Sequence, residues 1–241
     1  MADVLIGIDD TDNATSRGTG FLARTLVEEC RRRGGLDGIG GVTRHQLLAD
    51  PRIPYTSHNS AACAALSGAA GVEPAGFVFD VVAARSAPGS DPGVCVARME
   101  AVTPEVVEFG RRARSQIVRM DEALRLARDS GIDLRPLSGT GLGVIGALAA
   151  VGLRASGNDG RYIDLPGLRD LPERVSLREF ERLGIAVEHR GGRAPVPDDV
   201  YETLGWVRPN LVGGRPVLSV TWSEERHAWL PVERKRPRVV E

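Results

Sequence analysis

The stretch VLIGIDDTDNATSRGTGFLARTLVEEC, residues 4–30, constrains the fold of this chain most strongly. The apolar run Val4 to Ile8 has the length and content of a buried strand. It ends on a knot of carboxylates, Asp9, Asp10 and Asp12. A glycine-flanked threonine, Gly18-Thr19-Gly20, then precedes Phe21, Leu22, Leu26 and Val27 at helical spacing, and Arg31-Arg32-Arg33-Gly34-Gly35 supplies a stop. A strand feeding a helix in this way is the building unit of an α/β protein. In a continuing strand Asp9 and Asp10 would face opposite sides, so the backbone must turn if they are to converge. Acids held this close repel one another, and the cluster therefore anticipates something positive.

The rest of the chain extends the pattern. Ile39 to Leu48 reads as a second strand. NSAACAALSG reads as a small-residue helix packed closely on a sheet, and FVFDVVAA as a strand by its β-branched and aromatic content. Val94 to Met99 is a further short strand. Thr103-Pro104 opens one long helix running to about Ser130, with threonine as N-cap and proline at N1. An apolar helix starts near Val144. The last third mixes short strands (RYIDL, IAVEHRG, RPVLSVTW) with one helix near Leu177 to Leu183, and ends in a charged tail, ERKRPRVVE, expected to fray. The expected fold is α/β, a layered mixed sheet with packed helices, turning α+β in the last third. The expected division falls where the long helix gives way to glycines: 1–134 as one domain and 135–241 as a smaller one.

Composition narrows the chemistry. With a formal net charge of -1 over 241 residues there is no global field to gather nucleic acid or anionic lipid, so any anion must be held by a local patch. Lys235, in the tail, is the single lysine. That removes a Walker P-loop, a protein-kinase strand lysine, and the lysine of a haloacid-dehalogenase-type phosphatase, which also needs an apolar residue where Asp9 stands. Cys30, Cys63 and Cys95 are odd in number and lack paired zinc spacing, which fits reduced, buried thiols. No apolar run reaches the length of a membrane span, and no signal peptide precedes the first strand; a cytoplasmic protein is the expectation.

Asp9, Asp10 and Asp12 at the end of a strand are the ligand type that Mg²⁺ prefers, with nucleotide phosphates completing its shell. A surface turn with Asx hydrogen bonds is the plainer alternative. Gly18, Thr19 and Gly20 fit a helix start whose free amides bind phosphate, with Thr19 as the N-cap. Gly141-x-Gly143-x-x-Gly146 matches the dinucleotide fingerprint, but the context fails: no good strand precedes it and no acid follows at the required distance. It is either a phosphate-approaching loop or a place of close helix packing. Ser57 and Asn59 read first as cap residues, His58 as a lone histidine more often structural than catalytic, and Ser90, Asp91 and Gly93 as a turn with room for a ligand contact. His45, His189 and His227 are scattered. Arg17, Arg44 and Arg52 are the nearest candidates for a phosphate clamp.

The blocks IGIDDTDNATSRGTGFLA, ADPRIPYTSHNSAA, SDPGV and GLGVIGALAAVG, in this order, resemble the archaeal tRNA agmatinylcytidine (agmatidine) synthetase family, over about residues 3–165. The resemblance implies an ATP-dependent kinase-like domain followed by a ferredoxin-like one, which activates a cytidine base oxygen by phosphorylation so that agmatine can displace it. It implies that Asp9, Asp10 and Asp12 serve Mg²⁺ and ATP; Gly18, Gly20, Gly141, Gly143 and Asn59 are the candidates for holding the nucleotide. It also implies that Thr19 stands where the family has a threonine that becomes phosphorylated. The family's OB-fold and cysteine zinc ribbon, which hold tRNA, have no counterpart here, and there is no CxxC pair. The expectation is therefore an ATP- and Mg²⁺-dependent phosphotransferase or ligase acting on a nucleoside or small molecule. The alternatives are a tRNA cytidine-modification component working with a separate tRNA-binding chain, and a non-catalytic nucleotide-binding regulator.

Overall fold

The computed structural model describes residues 3–38, 40–55, 58–68 and 75–232. Ser57 as a cap residue, and the tail with Lys235, fall outside them. In chain order the elements are β1 (Val4–Asp9), α1 (Thr19–Gly34), β2 (Val42–Gln46), β3 (Ser60–Leu66), α2 (Ala75–Arg85), β4 (Gly93–Arg98), α3 (Pro104–Ala113), α4 (Met120–Asp129) and β5 (Asp133–Pro136). There follow α5 (Gly143–Ala155), β6 (Arg161–Asp164), β7 (Arg174–Val175), α6 (Leu177–Arg182), β8 (Ala186–His189), β9 (Tyr201–Glu202), β10 (Asn210–Val212), β11 (Arg215–Ser223) and β12 (Ala228–Pro231).

The strands form one mixed sheet in the order β5-β4-β1-β3-β2-β6-β10-β11-β12-β9-β7, with β8 alongside β11. β1 lies between β3 and β4, antiparallel to both. Among the described residues, parallel pairing is confined to β8 with β11 and β9 with β12. The mixed, helix-covered sheet agrees with the expected α/β class.

Alternation along β1 splits the core. Val4, Ile6 and Ile8 face α1 and α2, in a cluster with Leu22, Leu26, Val78 and Val82. Leu5 faces the other way, toward α3, α4 and α5, with Phe109, Leu148 and Val151. Gly7 shares that second face. A Cβ there would overlap the carbonyl of Ala147, so glycine lets α5 lie directly on β1. A third cluster around Phe180, Tyr201 and Trp229 holds the last third.

Two assignments made from local content are exchanged. NSAACAALSG contains β3, and FVFDVVAA lies in α2. β3 is central and covered on both faces, so its small residues answer to helices pressing from each side, and alanine's helix preference is overridden. In α2, Val78, Val81 and Val82 recur at helical spacing and dock on the sheet despite their β-branching. The single long helix expected from Thr103 is two helices. α3 ends at Ala113, whose carbonyl accepts the Leu48 amide, and α4 turns back so that Ala123 and Ala127 are buried against α5. The division expected at 134/135 does not coincide with a break in packing. β5 pairs with β4, and α5 fills the core beneath β1, so the first core runs on to Ala155. Antiparallel pairing of β2 with β6 joins it to the last third of the chain.

All three cysteines are free and buried; burial pushes the Cys30 and Cys63 thiols up to about 12. Among the described residues no helix is long and apolar enough to cross a membrane.

Candidate functional site

The end of β1, the start of α1 and the start of α5 meet at a cavity of about 800 Å³. Asp9, Asp10, Asp12, Gly18, Thr19, Gly20, Asn59 and Gly143 all line it. Eight of the residues singled out in the sequence therefore share one cavity.

The expected turn occurs at Asp10, whose φ of 49° lies in the left-handed region. Few non-glycine residues adopt it, and aspartate is among the more tolerant. Asp9 remains partly accessible at the cavity, but the protein packed around it withholds solvent and lifts its carboxyl to about 7. The Asp10 amide opposes that shift, while the charges of Asp10 and Asp12 add to it. Asp10 is also raised, first by burial, then by Asp91 and Asp12. A Cβ on Gly146 would overlap the Asp9 carboxylate, so this glycine of α5 makes room for the acid.

Asp12 and Thr19 form a pair. The Thr19 hydroxyl donates to Asp12 Oδ1 at 2.7 Å, and the Thr19 amide donates to the same oxygen at 3.3 Å. The Thr11 amide and hydroxyl donate to Thr19 Oγ1 at 3.3 and 3.1 Å. This corrects the reading of Thr19 as N-cap: Gly18 holds that position, Thr19 is the first helical residue, and Asp12 supplies the capping carboxylate from outside the helix. A Cβ on Gly20 would come within 2.7 Å of Ile163 Cδ1, the movable end of a side chain.

The second glycine segment is organised by Asp91. Its Oδ1 accepts the Gly141 amide at 2.7 Å, and its Oδ2 accepts the Leu142 amide at 3.2 Å and the Thr140 hydroxyl. Gly141, at φ 85°, thus turns its amide to a side chain and not to the cavity. Its expected part in holding phosphate is replaced by a part in the loop. Gly143 lines the cavity, yet its own constraint is packing, because a Cβ would overlap the backbone of Asp91 and Gly93. Asn59 precedes a strand, not a helix, and its amide donates to the Leu48 carbonyl at 2.7 Å.

Among the described residues no three His, Cys, Asp or Glu side chains converge as a ready-made metal site. The donor set still suits Mg²⁺, which is commonly held by one or two carboxylates plus phosphate oxygens and water. Asp10 has no side-chain hydrogen-bond partner among the described residues, and the free Asp12 oxygen is the next available donor.

Of the three arginines expected to clamp phosphate, Arg44 lines the cavity and donates to Ser60 Oγ at 2.8 Å, with the charge of Asp12 acting on it. Arg52 lines the cavity but is bound twice to Asp50, at 2.8 Å each. Arg17 stacks over Phe21, 4.2 Å from its centroid. The lining also includes Arg24, Arg169, Arg208 and Trp206. These are residues sequence reasoning did not single out, whereas Asp91 was singled out only for a possible ligand contact. Asp91 lay in a segment read mainly as a turn, and the others sit in no motif.

A mixed α/β fold with carboxylates gathered where β1 meets two helix starts, in one large cleft, is the class of protein this geometry defines. No protein-family model matches the chain. Its curated relatives and structural neighbours nonetheless include 2-agmatinylcytidine synthetases (TiaS) of an isoleucine tRNA. The enzyme of Pyrococcus horikoshii is 29% identical over 196 residues, 73% of this chain and 41% of the relative. That of Pyrobaculum neutrophilum is 27% identical over 245 residues, 94% and 55% respectively. Among solved structures, the complex of TiaS with its isoleucine tRNA and ATP superposes with a TM-score of 0.53 at 31% identity, covering 63% of this chain and 36% of the other. The chain thus spans about half, or less, of these relatives' length.

Proposed function

We propose that this chain is an ATP-dependent enzyme that activates an oxygen of a tRNA cytidine, so that an amine can displace it. The observation that carries the reading is the mutually repelling aspartate cluster where β1 meets the starts of α1 and α5, in a chain whose relatives make 2-agmatinylcytidine. The acceptor follows the relatives, and replaces the small molecule suggested by the overall charge.

Asp10 and Asp12 would hold Mg²⁺, which when bound would supply charge neutralisation for a triphosphate. Gly18 leaves the start of α1 open for phosphate to approach, and the start of α5 adds a favourable dipole. Asp12 is within reach to accept the proton of the Thr19 hydroxyl, the geometry needed if Thr19 takes up a phosphoryl group. In the main reaction a phosphoryl group passes from ATP to the cytidine oxygen as the remaining nucleotide leaves, then the amine nitrogen bonds to the ring carbon as the carbon–oxygen bond breaks, and phosphate and one amine proton leave. Positioning and charge neutralisation carry the rate.

The test is turnover of ATP by the full chain with Mg²⁺, agmatine and the isoleucine tRNA that the relatives modify, with the mass of the RNA followed in parallel. Asp10→Asn is expected to lower turnover by about three orders of magnitude, the scale of a lost electrostatic group at a reacting centre. Its melting temperature should match or exceed the parent's, since a repelled carboxylate is removed. An active Asp10→Asn protein, or an unfolded one, counts against the assignment.

A further inference from the structure

One wall of the cavity carries the opposite charge to its floor. Arg24 comes from α1, Arg44 from β2, Arg169 from the turn after β6, and Trp206 and Arg208 from the loop between β9 and β10. The Arg169 and Arg208 guanidiniums lie 4.5 and 4.1 Å from the Trp206 ring centroid, so one indole fixes two flat cations. Carboxylates reach this group too: Asp164 lies 3.1 Å from Arg169 and, with Glu28, acts on Arg24, while Asp12 acts on Arg44. The arginines also act on one another. After burial, Arg24 is held below its ordinary range by Arg169, Arg44 by Arg161, and Arg208 by Arg44, Arg161 and Arg169. Among the described residues the buried Arg208 Nε has no hydrogen-bond acceptor. Like charges gathered from four separate segments, with a buried donor unmet, are stabilised when an anion enters.

We propose that Arg24, Arg44, Arg169 and Arg208, ordered by Trp206, form an anion subsite that binds a backbone phosphodiester of the RNA strand next to the modified nucleotide. This deepens the proposed function and rests on its RNA acceptor. Guanidinium forks match phosphate oxygens in pairs, and arginine beside exposed aromatic rings is the usual equipment for single strands. Tyr55, 42% exposed, offers such a ring on the same cavity. In a chain of net charge -1, this wall is where a polyanion meets concentrated positive charge. The triphosphate of ATP is the other source of phosphate, and the aspartate floor already answers to it through Mg²⁺.

The experiment measures binding of a fluorescently labelled RNA hairpin, with an unpaired cytidine in its loop, to the full chain without ATP over a salt series. Mg-ATP affinity is measured separately by calorimetry. For Arg169→Ala/Arg208→Ala, RNA affinity should fall at least tenfold, and the slope of log K against log salt should shrink by about 0.7, the value for one phosphate contact on a single strand. Mg-ATP affinity should stay within twofold. Arg24→Gln, on a helix surface, is the second variant should the double one melt early, with a smaller loss in the same direction. Loss of ATP affinity with RNA binding intact assigns the wall to the triphosphate and overturns the proposal, as does no change in either, or no RNA binding by the parent chain. Because the RNA measurement contains no ATP, its outcome is separable from the Asp10→Asn result.

Discussion

Asp91 shows how a single side chain, expected at most to contact a ligand, can organise a site. One carboxylate takes the amides of Gly141 and Leu142 and the hydroxyl of Thr140, and its charge presses on Asp10. Replacing it leaves two backbone donors at the start of α5 without partners. Asp91→Ala should therefore cost about 2 kcal/mol in urea-unfolding free energy, the scale of a lost cap with an unmet donor. Asp91→Asn, which keeps an acceptor oxygen, should recover part of it. A stability loss below about 0.5 kcal/mol in the alanine variant would show that the loop stands without this residue. At this scale the sequence was most readable where chemistry was local. The acids, Thr19 and its glycines lie within a few residues of one another, and they do share one cavity.

Elements were legible where period and burial agree, and misleading where burial is complete. β1 is apolar at every position before its terminal aspartate and was recognised, and the glycine stop of α1 is present as a left-handed cap at Gly35. β3 and α2 were exchanged because each is judged locally by residue type, whereas the fold decides by which surfaces press on it. Alanines in β3 fit beneath α1 and α5; valines in α2 pack onto the sheet. A close approach in this layer is Gly7 under Ala147, and Gly7→Ala should cost about 1–3 kcal/mol by forcing α5 off β1. Denaturation midpoints at fixed pH would check it, and an unchanged midpoint would mean that the helix shifts freely.

Across the whole molecule, a buried polar link ties distant segments together. His45 on β2 is fully buried, with Nε2 2.8 Å from Thr43 Oγ1 and Nδ1 3.0 Å from Asp159 Oδ1, and Arg114 lies 2.7 Å from the other Asp159 oxygen. Burial holds the imidazole below its ordinary value of about 6.5; Asp159 opposes that shift, and Arg154 and Arg114 add to it. Below about pH 6.5 the unfolded chain thus binds a proton that the folded one refuses. The stability from this site is full above that pH and is lost progressively as pH falls toward the folded value. Unfolding midpoints measured between pH 7.5 and 5.5 should fall more steeply for the parent than for His45→Gln. Parallel slopes would remove the role.

Taken alone, the sequence determined the α/β class, the strand that ends in carboxylates and the resemblance that names its relatives, because these depend on neighbours in the chain. Only the tertiary structure decided that Asp91 governs the 139–142 loop, that α5 belongs to the first core, and that Arg24, Arg44, Arg169 and Arg208 meet around Trp206. The reason is physical. Repulsion among charges and overlap between helix and strand act through space, and residues from four separate segments carry no mark of their meeting until the sheet brings them to one cavity.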